Sequence, residues 1–259
     1  MAAVPSSQSL TLDRLMSIGA LVVLGAQAAI DPRSARLASS CMAITALLLA
    51  LLGARLGNAH SRIIATLAAA LVLAQQAALP WQLSMTLALL AVLGIGRVLP
   101  AQRLAPSCWA KGMTPIVWIL IVGGVTPFAL STWLFAAHPN LSDLTSSAFL
   151  QVPRIWLVCG SILFAIINPA LEELIWRGVF QTYLRPLWGV PASICLQALS
   201  FGVQHLHGFP RGAMGVLLAT VWALMLGFLR DRSQGLWAPF LAHVVADATI
   251  AILVLGFVI

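Results

Sequence analysis

Six side chains in this sequence have the types and spacings of hydrolytic chemistry. Glu172 and Glu173 stand side by side in "NPALEELIWRGVF" (168–180), with Arg177 four residues on. His205 lies in "LSFGVQHLHG", and His243 and Asp247 are four apart in "LWAPFLAHVVADATI". A carboxylate shielded from water is a better general base than one in bulk solvent. A histidine beside a developing alkoxide supplies a donor in a low-dielectric site. The chain holds only seven Asp and Glu in 259 residues, so placing two together in apolar sequence needs an explanation.

The elements that must position these groups are membrane helices. Apolar residues make up 61% of the chain, charged residues 8%, and the mean hydropathy is +0.99. A soluble domain carries about 25% charged residues, so this chain belongs in a bilayer. The apolar runs are continuous, which excludes the alternating segments of a β-barrel. The expected fold is all-α: a polytopic transmembrane helical bundle of about eight to nine spans. Nine apolar segments run near 15–30, 37–54, 63–79, 81–99, 114–136, 155–184, 190–205, 213–229 and 236–259. The third and fourth are parted only by Pro80, so eight spans with one re-entrant piece also fit. Trp81, Trp133, Trp156, Trp188 and Trp237 fall near segment ends, where aromatic belts sit.

The net charge of +7 does not point to nucleic acid, because the basic residues sit singly or in pairs between apolar runs. That is the pattern of loop anchors. Alternate loops on the N-terminal side carry Arg14, Arg55, Arg62, Arg97, Arg103, Lys111, Arg185, Arg230 and Arg232. The other side carries Arg33, Arg36, Arg154 and Arg211, which predicts a cytoplasmic N-terminus. Cys41, Cys108, Cys159 and Cys195 form no CxxC pair and read as packing residues. The segment after Arg14 ends in Ala26-x-Ala28, a signal-peptidase-like pattern, yet an uncleaved first helix is expected in so Ala-rich a chain.

A charge at the centre of a membrane helix costs on the order of 2.5–3.5 kcal/mol. Glu172, Glu173 and Arg177 must therefore face the bundle interior. Glu173 and Arg177 share a helical face and can pair as a structural unit. Glu172 is turned about 100° away and is left facing something else. His243 and Asp247 share a face, so the acid can orient the imidazole or share its cavity. His207 is two residues from His205, so one helix cannot aim both inward, and His207 reads as a loop or interface residue. His60 and His138 lie in or beside loops. On helical rise, Glu172 is about 18 Å from the end of its segment and His205 about 22 Å from the same side, whereas His243 is only about 10 Å in. That mismatch requires the "GLWAP" stretch to begin inside the membrane, or strong tilting. Gly215, Ala219, Ala223 and Gly227 recur every four residues, a small-residue stripe suited to close packing against the catalytic helices.

These residues resemble the CPBP intramembrane proteases, also called the CAAX protease and bacteriocin-processing or Abi family. Their pattern EExxxR, FxxxH, HxxxN/D is matched in order by Glu172–Arg177, Phe201–His205 and His243–Asp247. Trp176 stands where an aromatic Phe is commoner. The resemblance covers about residues 155–255. It divides the chain into unmatched helices over 1–150, a possible substrate-selecting part, and a catalytic core over 151–259. It implies peptide-bond hydrolysis in a membrane-associated peptide or protein tail, such as a C-terminal sorting or anchor tail, a leader or a CaaX-like tail. Glu172 and His205 would activate water, and His243 with Asp247 would stabilise the oxyanion. Glu173 and Arg177 support the site. Two types stay open: a glutamic-type protease without cofactor, which the lack of an HExxH motif favours, and a metalloprotease with Zn2+ held by Glu172, His205 and His243.

The implied partners are a membrane-tethered substrate and the lipid bilayer, with no nucleic acid, and the chain is expected to be a monomer. One Lys against thirteen Arg points to a bacterial chain of the cytoplasmic membrane. A non-catalytic bacteriocin-immunity or partner-binding membrane protein is the alternative, which an intact Glu, His, His, Asp set disfavours. A transporter would show repeated halves, and a cysteine transpeptidase would need Cys195 closer than about 15 Å from His205.

Overall fold

The computed structural model describes residues 7–30, 35–99, 103–139 and 151–258. The described residues form an all-α, multi-pass helical bundle: α1 (Ser7–Ala28), α2 (Arg36–Leu56), α3 (Ala59–Gln76), α4 (Trp81–Val98) and α5 (Ile116–Ala137) come first. The sixth rod is composite: α6 (Arg154–Glu172), a π-helical stretch (Glu173–Phe180) and α7 (Gln181–Trp188). Then follow α8 (Val190–Gln204), α9 (Gly212–Ser233) and α10 (Trp237–Val258). These nine rods match the nine apolar segments of the sequence. Seven are long and apolar enough to cross a membrane. α3 and α8 are the two exceptions: α3 is largely buried in the bundle, and α8 is only 15 residues long with Cys195 and Leu199 exposed on one face. The third and fourth segments are separate helices, joined by a tight turn at Ala77–Pro80.

Successive rods alternate in direction, so each end of the bundle collects its own set of side chains. One end carries Arg14, Arg55, Arg62, Arg97, Arg103, Arg185 and Arg230. Arg36, Arg154 and Arg211 begin or precede helices at the other end. Arg33 and most of the 137–154 connection lie outside the described residues.

Because lipid tails are as apolar as leucine, helix association here depends on packing and buried polar ties rather than on the hydrophobic effect. α3 is the central packing element: Ile63, Ile64, Leu67, Leu71 and Val72 are fully enclosed. Its N-terminus is capped by Asn58, whose side chain accepts from the amides of His60 and Ser61. Asp13 of α1 accepts from the Asn58 amide at 2.9 Å and from the Ser61 hydroxyl, pinning α1 to α3. At the other end of α1, Gln27 bonds Ser39 of α2, which also bonds Gln76 of α3. The apolar core runs without a break from Leu24, Ile64 and Met85 to Ile175, Phe180 and Phe201.

The small-residue stripe does what its spacing predicts. Gly215, Ala219, Ala223 and Gly227 are all buried on α9, where that helix meets α8. A methyl at Gly202 of α8 would fall 2.8 Å from the Val216 carbonyl of α9, so only glycine there lets the two helices approach this closely.

Aromatic placement differs from the belt expectation at three positions. Trp156 is exposed as an interface residue should be, and Trp237 is exposed at the start of α10. Trp133 is buried, and Trp188 donates to the Ser17 hydroxyl at 3.0 Å beneath the Arg14 guanidinium. Trp81 also turns inward. A segment-end tryptophan carries an indole N–H, and where a buried acceptor lies within reach that bond competes with the interface.

Candidate active site

The sixth rod changes pitch where the chemistry sits. Pro169 has no N–H and crowds the carbonyl one turn before it, which loosens the ladder. From Glu173 the turns widen to the π form, and Gln181 N–H bonds the Trp176 carbonyl, an i to i−5 bond. Short π segments of this kind recur at functional sites. The change leaves Glu172, the last α-helical residue, and Glu173, the first π residue, pointing to different partners.

Glu173 and Arg177 form the expected pair, at 2.8 Å, and both are fully buried. The guanidinium also lies 4.8 Å from the Phe201 ring centre. Glu173 does more than neutralise Arg177, because its Oε1 also accepts from His243 Nδ1 at 2.7 Å. Glu172 has separate company. Its Oε1 accepts from the Trp81 indole N–H at 2.9 Å, and its Oε2 is 3.4 Å from His243 Nε2.

Of the two roles the spacing left open for Asp247, the geometry fits sharing a cavity with His243 and not orienting it. Asp247 is not the group that orients His243, since its Oδ1 stands 3.6 Å from Nε2 while Glu173 holds Nδ1. The i,i+4 spacing gives the two residues a common face, but a shorter bond across helices takes the imidazole. Asp247 is held instead by Asn168, whose amide donates to Oδ2 at 3.0 Å, and Gln82 in turn donates to Asn168 at 3.0 Å.

His205 closes α8 at the start of a 3-10 turn (His205–His207). Its Nδ1 is 3.2 Å from the Phe201 carbonyl. A carbonyl only accepts, so the proton is on Nδ1 and Nε2 is left as an acceptor. Glu172, His205, Asp247, Asn168 and Trp81 all line one cavity of about 470 Å³. His243 lies behind its wall, lining a second space of about 100 Å³ that shares His205 and Asp247 with the first. His207 lines the larger cavity as well. It is the turn residue the sequence suggested, since α8 ends at Gln204, and the tighter turn brings both histidines to the cavity.

The depth mismatch of His243 also resolves. The 3-10 turn Pro106–Trp109 dips into the bundle: a methyl on Gly178 would lie 2.8 Å from the Cys108 carbonyl. The amides of Leu236 and Trp237 then bond the carbonyls of Ala110 and Lys111, each at 2.8 Å. α10 therefore starts level with Gly178, about 15 Å above the end of α7 at Trp188. Six residues carry α10 from Trp237 to His243, and six carry the sixth rod from Gly178 back to Glu172. The two side chains meet at one level, and the recessed start of "GLWAP" is the reason.

Glu172, His205, His243 and Asp247 are thus assembled from three rods, with α4 as a fourth wall. Residues 154–249 match the Rce1-like family, type II CAAX prenyl endopeptidases. No curated protein and no solved structure gives a match. The Rce1-like segment contains all six residues singled out in the sequence, and its family implies an intramembrane protease. The segment does not contain the whole cavity, however. Trp81, Gln82, Gln75 and Gln27 come from outside the Rce1-like match, and all four line the space beside Glu172.

Sequence reasoning missed Trp81, Gln82 and Asn168. Asn168 had a readable signal, as a polar residue one turn before Glu172 in "LFAIINPALEE". Among the described residues, no group of three or more His, Cys, Asp or Glu side chains is arranged to hold a metal. The three zinc candidates differ in their freedom: His243 has carboxylates near both ring nitrogens, while His205 keeps Nε2 open.

Proposed function

We propose that this protein is a glutamic-type intramembrane endopeptidase that hydrolyses a peptide bond in a membrane-tethered peptide or protein tail. One observation carries the reading: Glu172, fixed by Trp81, shares a single cavity with His205, whose Nδ1 is taken by the Phe201 carbonyl. A water between them gives its proton to Glu172 and its oxygen to the carbonyl carbon of the substrate. The carbonyl oxygen then takes up negative charge, which a nearby N–H donor, with Asp247 beside it, stabilises. His243 serves as such a donor when both ring nitrogens carry protons, with Nδ1–H on Glu173 and Nε2–H towards the reaction. Collapse of the tetrahedral species breaks the C–N bond, and the proton held by Glu172 passes to the leaving amine.

Glu173 and Arg177 position the imidazole and do not touch the substrate in this scheme. The helices over 1–150 supply one wall of the cavity, which supports a part for them in choosing the substrate. Should zinc take part, Glu172, His205 and His243 would be its ligands and the metal would acidify the water. The protein is read as a monomer of a bacterial cytoplasmic membrane with its N-terminus inside.

The test compares peptide termini in cells making the wild-type protein or Glu172→Gln. New C-termini that appear only with the wild type identify the substrate. Identical termini in both would remove the proteolytic reading.

A further inference from the structure

The cavity is not at the midplane, and its depth can be read from three rods. His205 is fifteen residues from Val190, which places it about 22 Å from the arginine-rich end of the bundle. The recessed start of α10, about 15 Å up, plus six residues puts His243 at about 24 Å. With a hydrocarbon thickness of about 30 Å, the catalytic level lies roughly 6–8 Å beneath the arginine-poor surface. The cavity walls agree. They include Ala28 and Ile30 at the end of α1, Leu79 before α4, and the His207–Phe209 turn after α8, all at the arginine-poor end.

Lysine and arginine accumulate on the cytoplasmic side of membrane proteins. The nine basic residues at the N-terminal end against four at the other make the arginine-poor end extracytoplasmic. A tail exposed only at the arginine-rich surface would have to cross about 22 Å of packed bundle to reach Glu172.

The lining indicates what enters. Five side-chain amides, from Gln27, Gln75, Gln82, Asn168 and Gln204, surround the cavity, and among the described residues no Lys or Arg does. Gln75 donates to Gln204 at 2.8 Å, while its own Oε1 is buried without a hydrogen-bond partner. Neutral amides of this kind pair with main-chain N–H and C=O groups, and a lining without a cation offers no counter-ion for a terminal carboxylate or a phosphate.

We propose that the protein takes its substrate from the extracytoplasmic side. The substrate is an uncharged, extended juxtamembrane stretch of an exported protein that a C-terminal helix holds in the membrane. Such a stretch sits at the extracytoplasmic surface, within reach of Glu172, and its main chain bonds the amide ring, with Gln75 Oε1 accepting one N–H. The proposal rests on the proteolytic reading of the same cavity.

Cysteine labelling separates the two. With Cys41, Cys108, Cys159 and Cys195 replaced by Ala, single cysteines are placed as Ile30→Cys, Ala29→Cys or Leu56→Cys. A membrane-impermeant maleimide is then added to spheroplasts. Ile30→Cys and Ala29→Cys should label from outside, and Leu56→Cys only after lysis. The reverse pattern overturns the side of access, whether or not Glu172 is catalytic. Two reporter fusions carry the same uncharged stretch before a C-terminal helix, one outside and one cytoplasmic. Only the outside reporter should be shortened, and Gln75→Leu should weaken its cleavage. Cutting of the cytoplasmic reporter contradicts the proposal, and no cutting of either removes this substrate class while the labelling still reports the side.

Discussion

His243 Nδ1 lies 2.7 Å from Glu173 Oε1, the same oxygen that accepts from Arg177 at 2.8 Å. One carboxylate oxygen thus joins a buried cation to an active-site imidazole. Removing one partner of a buried pair costs about 3–5 kcal/mol, because the other charge is stranded. Glu173→Gln and Arg177→Ala should each lower thermal stability in detergent by a large margin. The double variant should lose less than the sum, by roughly 0.5–3 kcal/mol. Additive losses would show that the two side chains do not act together.

Trp81→Phe keeps the ring and deletes the N–H that holds Glu172. A hydrogen bond to a charged group is worth about 1.5–3 kcal/mol, so turnover should fall about 10- to 100-fold. Stability should change little. An unchanged kcat would reduce the indole contact to a packing role.

Gly178→Ala tests the recessed start of α10. The added methyl meets the Cys108 carbonyl at 2.8 Å, and that turn carries the strand of backbone that fixes Leu236 and Trp237. The displacement passes to His243, so activity should drop more than the melting temperature. Full activity in this variant would mean that the level of α10 is set elsewhere.

Much of this arrangement was legible in the sequence. Continuous apolar runs marked all nine rods, since an uninterrupted run has few other ways to satisfy its backbone in lipid. Charged groups in those runs marked the site, because Glu172, Asp247 and their neighbours would be too costly facing lipid. Partner choice was harder to read. The four-residue spacing of His243 and Asp247 defines a shared face, but says nothing of Glu173 arriving from another helix. The π turn was not foreseen, since Pro169 can kink, cap or widen a helix depending on what packs round it. Trp81 looked like a belt residue because its acceptor is 91 positions away. His207 was read as a turn residue, but nothing in "VQHLHG" announces that the turn also brings it to the cavity.

Metal dependence divides the two protease types. Purified protein stripped with chelator, its zinc content measured alongside, should keep its cleavage activity. Stoichiometric zinc whose removal abolishes cleavage and whose return restores it would establish the metalloprotease type.

The central claim is that Glu172 and His205 activate the water. It is tested most directly by turnover of purified Glu172→Gln and His205→Ala on the tail found in cells, alongside proof that each variant accumulates and is folded. Loss of a general base costs typically 10²–10⁴-fold, so both variants should fall by about that factor in kcat with stability near that of the wild type. Near-normal kcat in either folded variant would contradict the account.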